Sequence, residues 1–364
     1  MQRSTWEHFD WGLLITAVAL TVIGLAMIYS ATLDWEELST TWRRQAIYAA
    51  VGMGLMFLVA SVDYRLLESL EWPLYFLALA VLVFTLFFGS SEIGDVRRFI
   101  YVGGTSIQPA FPALILLIIS QASLLARNAP ARPGIGEFVG SVALTAVAAF
   151  LVFSQPNLST ATLYVAVWVA MIFTSGLNFL YLAGAGALGL AMIPLLWSNM
   201  DAYMQARIMN FADPSRDPGA YYNVQQALIS IGSGGLWGKG FATGTQSQLH
   251  FLRVRHTDFI FSVICEELGF VGAALILLVF VILLWRLLYI AGTADDATGR
   301  LIVSGVAAYI FYQLLVNLGM NLNVIPVAGL PMPFISSGGS ALVVTFLGLG
   351  LVQSVAMRHR RLEF

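Results

Sequence analysis

The chain has 364 residues, 59% of them hydrophobic and only 10% charged, with a mean hydropathy of +0.81. That balance is too apolar for a soluble domain and points to a polytopic membrane protein. A formal net charge of −2 without a basic arm argues against a nucleic-acid partner, and the single cysteine, Cys265, rules out an intramolecular disulfide or a cysteine-pair zinc site.

Apolar runs of about 20 residues, enough for a helix to cross some 30 Å of hydrocarbon, occur ten times. They fall near 11–31, 45–62, 72–88, 110–126, 138–153, 158–175, 178–197, 267–288, 301–320 and 340–357. Helices are required, because open strands would leave backbone groups unpaired in lipid. The expectation is an all-α polytopic membrane protein, a single domain over 1–364, with ten transmembrane helices and one long extracytoplasmic loop at about 198–258. The first run follows Arg3, Glu7 and Asp10 and is longer than the apolar core of a secretory signal, so it reads as a retained span.

Ten spans put both termini on one side, and Arg358, Arg360 and Arg361 assign that side to the cytoplasm by the positive-inside rule. Arg3, Arg65, Arg127, Arg132, Arg286 and Arg300 fall on the same side. Arg43, Arg44, Arg97 and Arg98 fall opposite, and the long loop adds Arg207, Arg216, Lys239, Arg253 and Arg255 there. Connections as long as this loop usually bind, close over or gate something. Its Trp237, Phe241 and Leu249 are expected to pack against the bundle. The stretch Gly184-Ala185-Gly186-Ala187 would let helices approach closely, within the bundle or against a partner.

Chemistry concentrates where this loop meets the eighth span, at His256-Thr257-Asp258-Phe259-Ile260-Phe261 and then Ser262, Glu266 and Glu267. A helix starting at Asp258 would stack Asp258, Ser262 and Glu266 on one face. Carboxylates at membrane depth are costly and usually face a cavity or the bundle interior; the bland alternative is solvation at the interface. The outer arginine pairs suit phosphate oxygens through paired hydrogen bonds, or alternatively lipid head groups. His250 and His256, six apart, match no trusted metal spacing. The glycine run Gly232 to Gly240 lacks the spacing of a phosphate loop and reads as a tight turn that exposes its backbone.

At these residues the sequence resembles the SEDS (shape, elongation, division and sporulation) family. The resemblance covers almost the whole chain. It is carried by Asp217-Pro218, Tyr222-Asn223, Gln226, Ile231-Gly232-Ser233-Gly234-Gly235, Gly238-Lys239-Gly240, Gly244-Thr245-Gln246-Ser247, His256 to Phe261 and Glu266-Glu267-Leu268-Gly269. A second block comprises Asn317-Leu318-Gly319-Met320, Pro326 to Pro331 and Ser337-Gly338-Gly339-Ser340. The wording is closer to the elongation members, the RodA type, than to the division-specific FtsW branch.

The resemblance implies a peptidoglycan glycosyltransferase that polymerises lipid II, an undecaprenyl-diphosphate-linked disaccharide pentapeptide, on the outer face of the bacterial cytoplasmic membrane during cell elongation. Asp258 matches the family's essential aspartate and would act as general base. Arg44, Arg98 and Lys239 would stabilise charge on the leaving diphosphate, with Gln226, Thr257, Glu266 and Ser337 as further substrate contacts. No resident cofactor is implied, although a divalent cation could accompany the diphosphate. The implied partners are a class B penicillin-binding protein and other membrane proteins of the elongation complex.

Several positions depart from the family pattern. The usual Gln-Pro-Ser-Glu-Phe-Ala-Lys appears as Gln108-Pro109-Ala110-Phe111-Pro112-Ala113-Leu114, Gln-Pro-Asp-Leu-Gly as Gln155-Pro156-Asn157-Leu158-Ser159, and Pro-Glu as Arg253-Val254; Ser337 replaces a tyrosine. Arg253 and Arg255, both preceding Asp258, are expected to lower its pKa. Two other classes fit ten spans: a lipid II flippase, which would need a cavity open alternately to both faces, and a non-catalytic scaffold for a penicillin-binding protein, which would need no intramembrane aspartate.

Overall fold

The structure, a computed structural model, describes residues 6–33, 35, 38–90, 98–102, 105–129, 133–249, 251–252 and 254–358. Arg3, Arg97, Arg132, His250, Arg253, Arg360 and Arg361 lie outside the described residues.

Ten apolar helices occupy the places of the ten hydrophobic runs: α1 (Trp11–Thr32), α2 (Thr41–Ser61), α4 (Glu71–Phe88), α5 (Ala110–Ala126), α6 (Ile135–Phe153), α7 (Leu158–Thr174), α8 (Phe179–Ser198), α12 (Ile260–Thr293), α13 (Ala297–Asn321) and α14 (Gly339–Met357). Eight have 18 residues or more; α5 and α7 have 17 each, at the short end of what spans a bilayer. A five-residue α3 (Tyr64–Glu68) joins α2 to α4. The described strands are one antiparallel pair, β1 (Ile100–Val102) and β2 (Thr105–Ile107), between α4 and α5.

Polar residues placed between the apolar runs start the helices. The carboxylates of Asp10, Asp63, Asp201 and Asp296, and the amide oxygens of Asn157 and Asn178, each accept a hydrogen bond from a backbone N–H in the first turn of the following helix. α13 and α14 run through the centre, with 72% and 78% of their most apolar windows buried. The outer helices instead present large apolar side chains such as Phe76, Phe87, Phe150 and Phe270 outward, as a lipid environment requires. α14 lies close along α2 because glycine stands at the contact: a Cβ on Gly350 would come 2.7 Å from the carbonyl oxygen of Met56.

The start of α1 and the end of α14 lie at the same end of the bundle. The backbone N–H of Asp10 donates to Gln353 Oε1 near the end of α14 (2.9 Å), and Gln353 Nε2 donates back to the Asp10 carbonyl (2.8 Å).

Three expectations need correction. The 198–258 segment is largely helical, forming α9 (Ala202–Ala212), α10 (Pro218–Ser233) and the single turn α11 (Thr245–Gln248). α12 begins at Ile260 with Phe259 as its N-cap, so Asp258 precedes the helix and shares no helical face with Ser262 and Glu266. Trp237, Phe241 and Leu249 do not anchor the loop; they are 79%, 46% and 63% exposed. In α8 no residue is fully buried; of the stretch Gly184 to Ala187 only Ala185 packs partly against the core, and Cβ atoms added at Gly184 or Gly186 would meet nothing within 4 Å.

What anchors the loop is backbone. α12 breaks at Gly269 (φ 68°, ψ −170°), and the glycine run lies across the break: Lys239 N donates to Glu266 O, Gly240 N to Glu267 O, Phe270 N to Gly235 O and Val271 N to Leu236 O, all between 2.9 and 3.1 Å. The run therefore supplies the hydrogen bonds the broken helix loses. A Cβ at Gly238 would sit 2.2 Å from Glu267 O, and one at Gly269 would sit 2.3 Å from Gly238 N, so side chains are excluded on both sides.

Candidate active site

At the loop end of the bundle a cavity of ≈ 640 Å³ opens between the β1–β2 hairpin, α9, α10 and the 322–338 segment. Asp258, Thr257, Arg98 and Ser337 line it, as do Arg207, Asn157 and Asp217. Asp258 owes its position to its backbone. Its carbonyl accepts from Asn321 Nδ2 (2.9 Å) and Asn317 Nδ2 (3.2 Å), both on α13. Asn321 Oδ1 in turn accepts from Ser262 Oγ (2.7 Å) and Ser262 N (3.2 Å) in the first turn of α12.

The neighbouring residues are held as firmly. Ser336 Oγ donates to the Thr257 carbonyl (2.7 Å), and Ser337 N donates to the His256 carbonyl (2.9 Å). Gln45 of α2 reaches the same turn, donating to Ser336 O (3.1 Å) and accepting from Gly338 N (3.2 Å). Four separate stretches thus fix one aspartate, while its carboxylate makes no ion pair within 4.0 Å among the described residues.

Burial pushes the Asp258 carboxyl above the usual carboxylate range, and the guanidinium groups of Arg207 and Arg98 pull it partly back. This reverses the expected direction. Of the two expected cations, Arg253 lies outside the described residues and Arg255 is fully buried elsewhere: its Nε donates to the Ala31 carbonyl and its guanidinium stacks over Trp35, 5.3 Å from the ring centroid. His256, behind the site, is pushed down to about 4 by burial and by Arg255, so it is neutral near pH 7.

Arg207 escaped sequence reading because it counted only as one charge in a hydrophilic loop. It lies on α9, donates to Tyr203 OH one turn earlier, and sits over that ring at 4.5 Å. A Cβ built on Gly329 would be 3.8 Å from both Arg207 Nη1 and Asp258 Oδ2, which places guanidinium and carboxylate on either side of one point. The short amphipathic stretch after Asp201 was the available signal.

Four predicted contacts do not line this cavity: Arg44, Gln226, Lys239 and Glu266. Arg44 is exposed near the start of α2, and Gln226 lies mid-way along α10. Lys239 and Glu266 pair with each other at 2.8 Å. Fully buried Glu266 also accepts from Gln246 N (2.8 Å) and Ser247 N (3.2 Å), so the pair ties α11 to α12. Beside it, Glu267 accepts from Ser30 Oγ on α1 (2.5 Å) and from Ala242 N (3.1 Å). Among the described residues no group of three or more His, Cys, Asp or Glu is placed to hold a metal ion.

Four of the departures from the family pattern lie at this cavity. Phe111, Asn157 and Val254 stand where that pattern has carboxylates, Ser337 stands where it has tyrosine, and all four are lining residues. The wall is therefore less acidic than the pattern implies, and Asp258 and Asp217 are the carboxylates among its described lining residues.

Fold and site together define a polytopic membrane protein with a carboxylate–arginine cavity at one end of its helix bundle. The chain belongs to the Cell cycle protein family (FtsW, RodA and SpoVE), which it matches over residues 10–361. It is 35% identical over 366 residues to peptidoglycan glycosyltransferase MrdB of Escherichia coli K12, covering 100% of this chain and 98% of that protein. It is 32% identical to stage V sporulation protein E of Bacillus subtilis, covering 96% and 98%. Among solved structures, a chain of a peptidoglycan synthase complex described as coordinating polymerization and crosslinking aligns with a TM-score of 0.81 at 31% identity, covering 97% of this chain and 99% of that one. The rod shape determining protein RodA of Thermus thermophilus aligns at 0.73 and 30%, covering 97% and 98%.

Proposed function

We propose that this protein is a peptidoglycan glycosyltransferase that polymerises lipid II on the outer face of the bacterial cytoplasmic membrane during cell elongation, with both termini in the cytoplasm. The observation that carries the mechanism is the Asp258 carboxylate, fixed through its backbone, in a cavity with two guanidinium groups beside it. The acceptor's sugar 4-hydroxyl oxygen bonds to the donor's anomeric carbon and passes its proton to Asp258. The bond from that carbon to the phosphate oxygen breaks, undecaprenyl diphosphate leaves with the electron pair, and the α linkage becomes β-1,4. Arg98 and Arg207 stabilise the charge gathering on the diphosphate. Thr257 and Ser337 line the same space and contact substrate.

The raised pKa of Asp258 suits a base better than an ordinary carboxylate, because a more basic oxygen takes the hydroxyl proton more readily. The separation between site and Lys239–Glu266 pair supports a scaffolding role for that pair, and Arg44, exposed on α2, is read as an outer guide for the anionic substrate. A class B penicillin-binding protein that crosslinks the product is the proposed partner, a reading supported by the synthase complex among the structural relatives.

The deciding experiment is polymerisation of purified lipid II by the detergent-solubilised protein with its penicillin-binding partner, comparing the native chain with Asp258→Ala. Glycan from the native chain alone, with the variant reduced by about a hundredfold or more, is the expected outcome. Equal product from both would remove Asp258 as base and place the flippase and scaffold readings first.

A further inference from the structure

At the end of the bundle opposite Asp258 a separate cavity of ≈ 580 Å³ opens where the start of α1 meets the last turns of α12 and α14. α1 has 22 residues and is therefore about 33 Å long, which sets this cavity a hydrocarbon thickness away from Ala31, where Arg255 is held. It lies at the head-group level of the leaflet across from the Asp258 cavity. Aromatic side chains mark that level: Trp11, Trp285 and Tyr289 line the cavity and are 61%, 64% and 56% exposed.

The charged groups of this cavity are fixed. Arg286 donates through Nη2 (2.7 Å) and Nε (3.1 Å) to Asp10 Oδ1, the atom that also caps α1 by accepting from Leu13 N (2.7 Å). Gly12 makes the arrangement possible: a Cβ there would come 2.7 Å from Arg286 Cζ, so the guanidinium lies against bare backbone. Arg286 Nη1 and Asp10 Oδ2 make no hydrogen bond among the described residues, which leaves one donor and one acceptor over in a rigid pair. Glu7 adds a second carboxylate to the same wall. Two carboxylates to one guanidinium suit a zwitterion that carries an ammonium better than a plain anion, which the second carboxylate would repel.

We infer that this cavity binds the head group of a zwitterionic aminophospholipid, with the phosphate on Arg286, the primary ammonium on Asp10 and Glu7, and Trp11 and Trp285 supplying cation–π contacts. Toward the bilayer midplane, exposed Ile15 and Val22 on α1 and exposed Leu278 and Val281 on α12 give the acyl chains an apolar surface continuous with the lipid-facing belt. A soluble phosphate ester would make no use of that surface. The bound lipid joins the start of α1 to the end of α12, two helices whose other ends meet through Ser30 and Glu267 beside the glycine run. The site lies across the bilayer from Asp258 and stands whether or not the chain makes glycan.

Lipid retention tests the inference. The delipidated full-length protein in detergent is titrated with phosphatidylethanolamine or phosphatidylglycerol of identical acyl chains, and with glycerophosphoethanolamine as a head group without chains, and bound lipid is read by native mass spectrometry. Phosphatidylethanolamine should bind about tenfold tighter than phosphatidylglycerol, the worth of one charge-assisted contact. Glu7→Gln alters an exposed side chain and leaves the fold intact; it should weaken phosphatidylethanolamine by about threefold or more and strengthen phosphatidylglycerol. Gly12→Ala favours the helix while pushing the guanidinium off its seat, so it should weaken both lipids through the phosphate they share. Phosphatidylglycerol binding as tightly as phosphatidylethanolamine, or a preference untouched by Glu7→Gln, would overturn the head-group assignment. Displacement of the lipid by glycerophosphoethanolamine at equal concentration would overturn the acyl placement. No retained lipid at all would sink the site and leave the cavity to a protein segment.

Discussion

Asp258 combines two opposed influences, burial that disfavours its charged form and two guanidinium groups that favour it, and burial prevails. The consequence is a sign that can be measured. A base works only when ionised, so the rate should fall as pH drops through the Asp258 pKa, and that fall should lie above the ordinary aspartate value of about 3.9. Arg207→Ala removes a group that lowers this pKa, so the acid limb should move to higher pH. Near neutrality the same variant should lose about tenfold or more in kcat through weaker support of the leaving diphosphate. A pH–rate profile of both proteins checks the two effects together, and an unmoved limb would separate Arg207 from Asp258. Asp258 itself was legible in the sequence through its motif, whereas its electrostatic partner was not. Arg255 is near in sequence and points to α1; Arg207 is 51 positions away and faces the cavity.

At the scale of elements, the site depends on two joints that hold loop to bundle. The first is the asparagine pair on α13. Asn321→Leu leaves the Asp258 carbonyl and the Ser262 hydroxyl short of a partner, at a cost of about 1–3 kcal/mol. Activity should fall further than stability, read as polymerisation against thermal unfolding, because the same change releases the turn carrying Asp258. The second joint is the glycine run laid across the break in α12. Gly269 has backbone angles that other residues essentially do not adopt, so Gly269→Ala should yield little folded protein in detergent. Glu266→Gln tests the adjoining ion pair and should cost on the order of 2 kcal/mol, less than a sealed pair because Lys239 keeps some access to water. The spacing of this glycine run argued against a phosphate loop. It could not show what the exposed backbone binds, because the complementary groups belong to a kink in a span that reads as continuous.

For the whole molecule, the proposed orientation predicts which surfaces a membrane-impermeant thiol reagent reaches. The one native cysteine, Cys265, is buried, so introduced thiols report cleanly. On intact cells Arg216→Cys, in the exposed turn between α9 and α10, should be labelled, and Arg300→Cys, exposed near the start of α13, should not. The opposite pattern would invert the protein in the membrane.

The amino-acid sequence by itself determined the class and the positions of the ten apolar helices, and it singled out the aspartate that lines the cavity. Each rests on a local property: hydrocarbon thickness sets the length of a span, caps mark its ends, and a contiguous motif carries Asp258. Only the tertiary structure decided which charged groups share a cavity. Lys239, Glu266 and Arg44 look like partners of Asp258 when ranked by chemistry along the chain, yet the glycine interlock turns the first two toward each other and α2 leaves the third outside. Arg207 comes to the site from a segment without a motif, because side-chain proximity across a helix bundle depends on packing between elements, which no short stretch of sequence encodes.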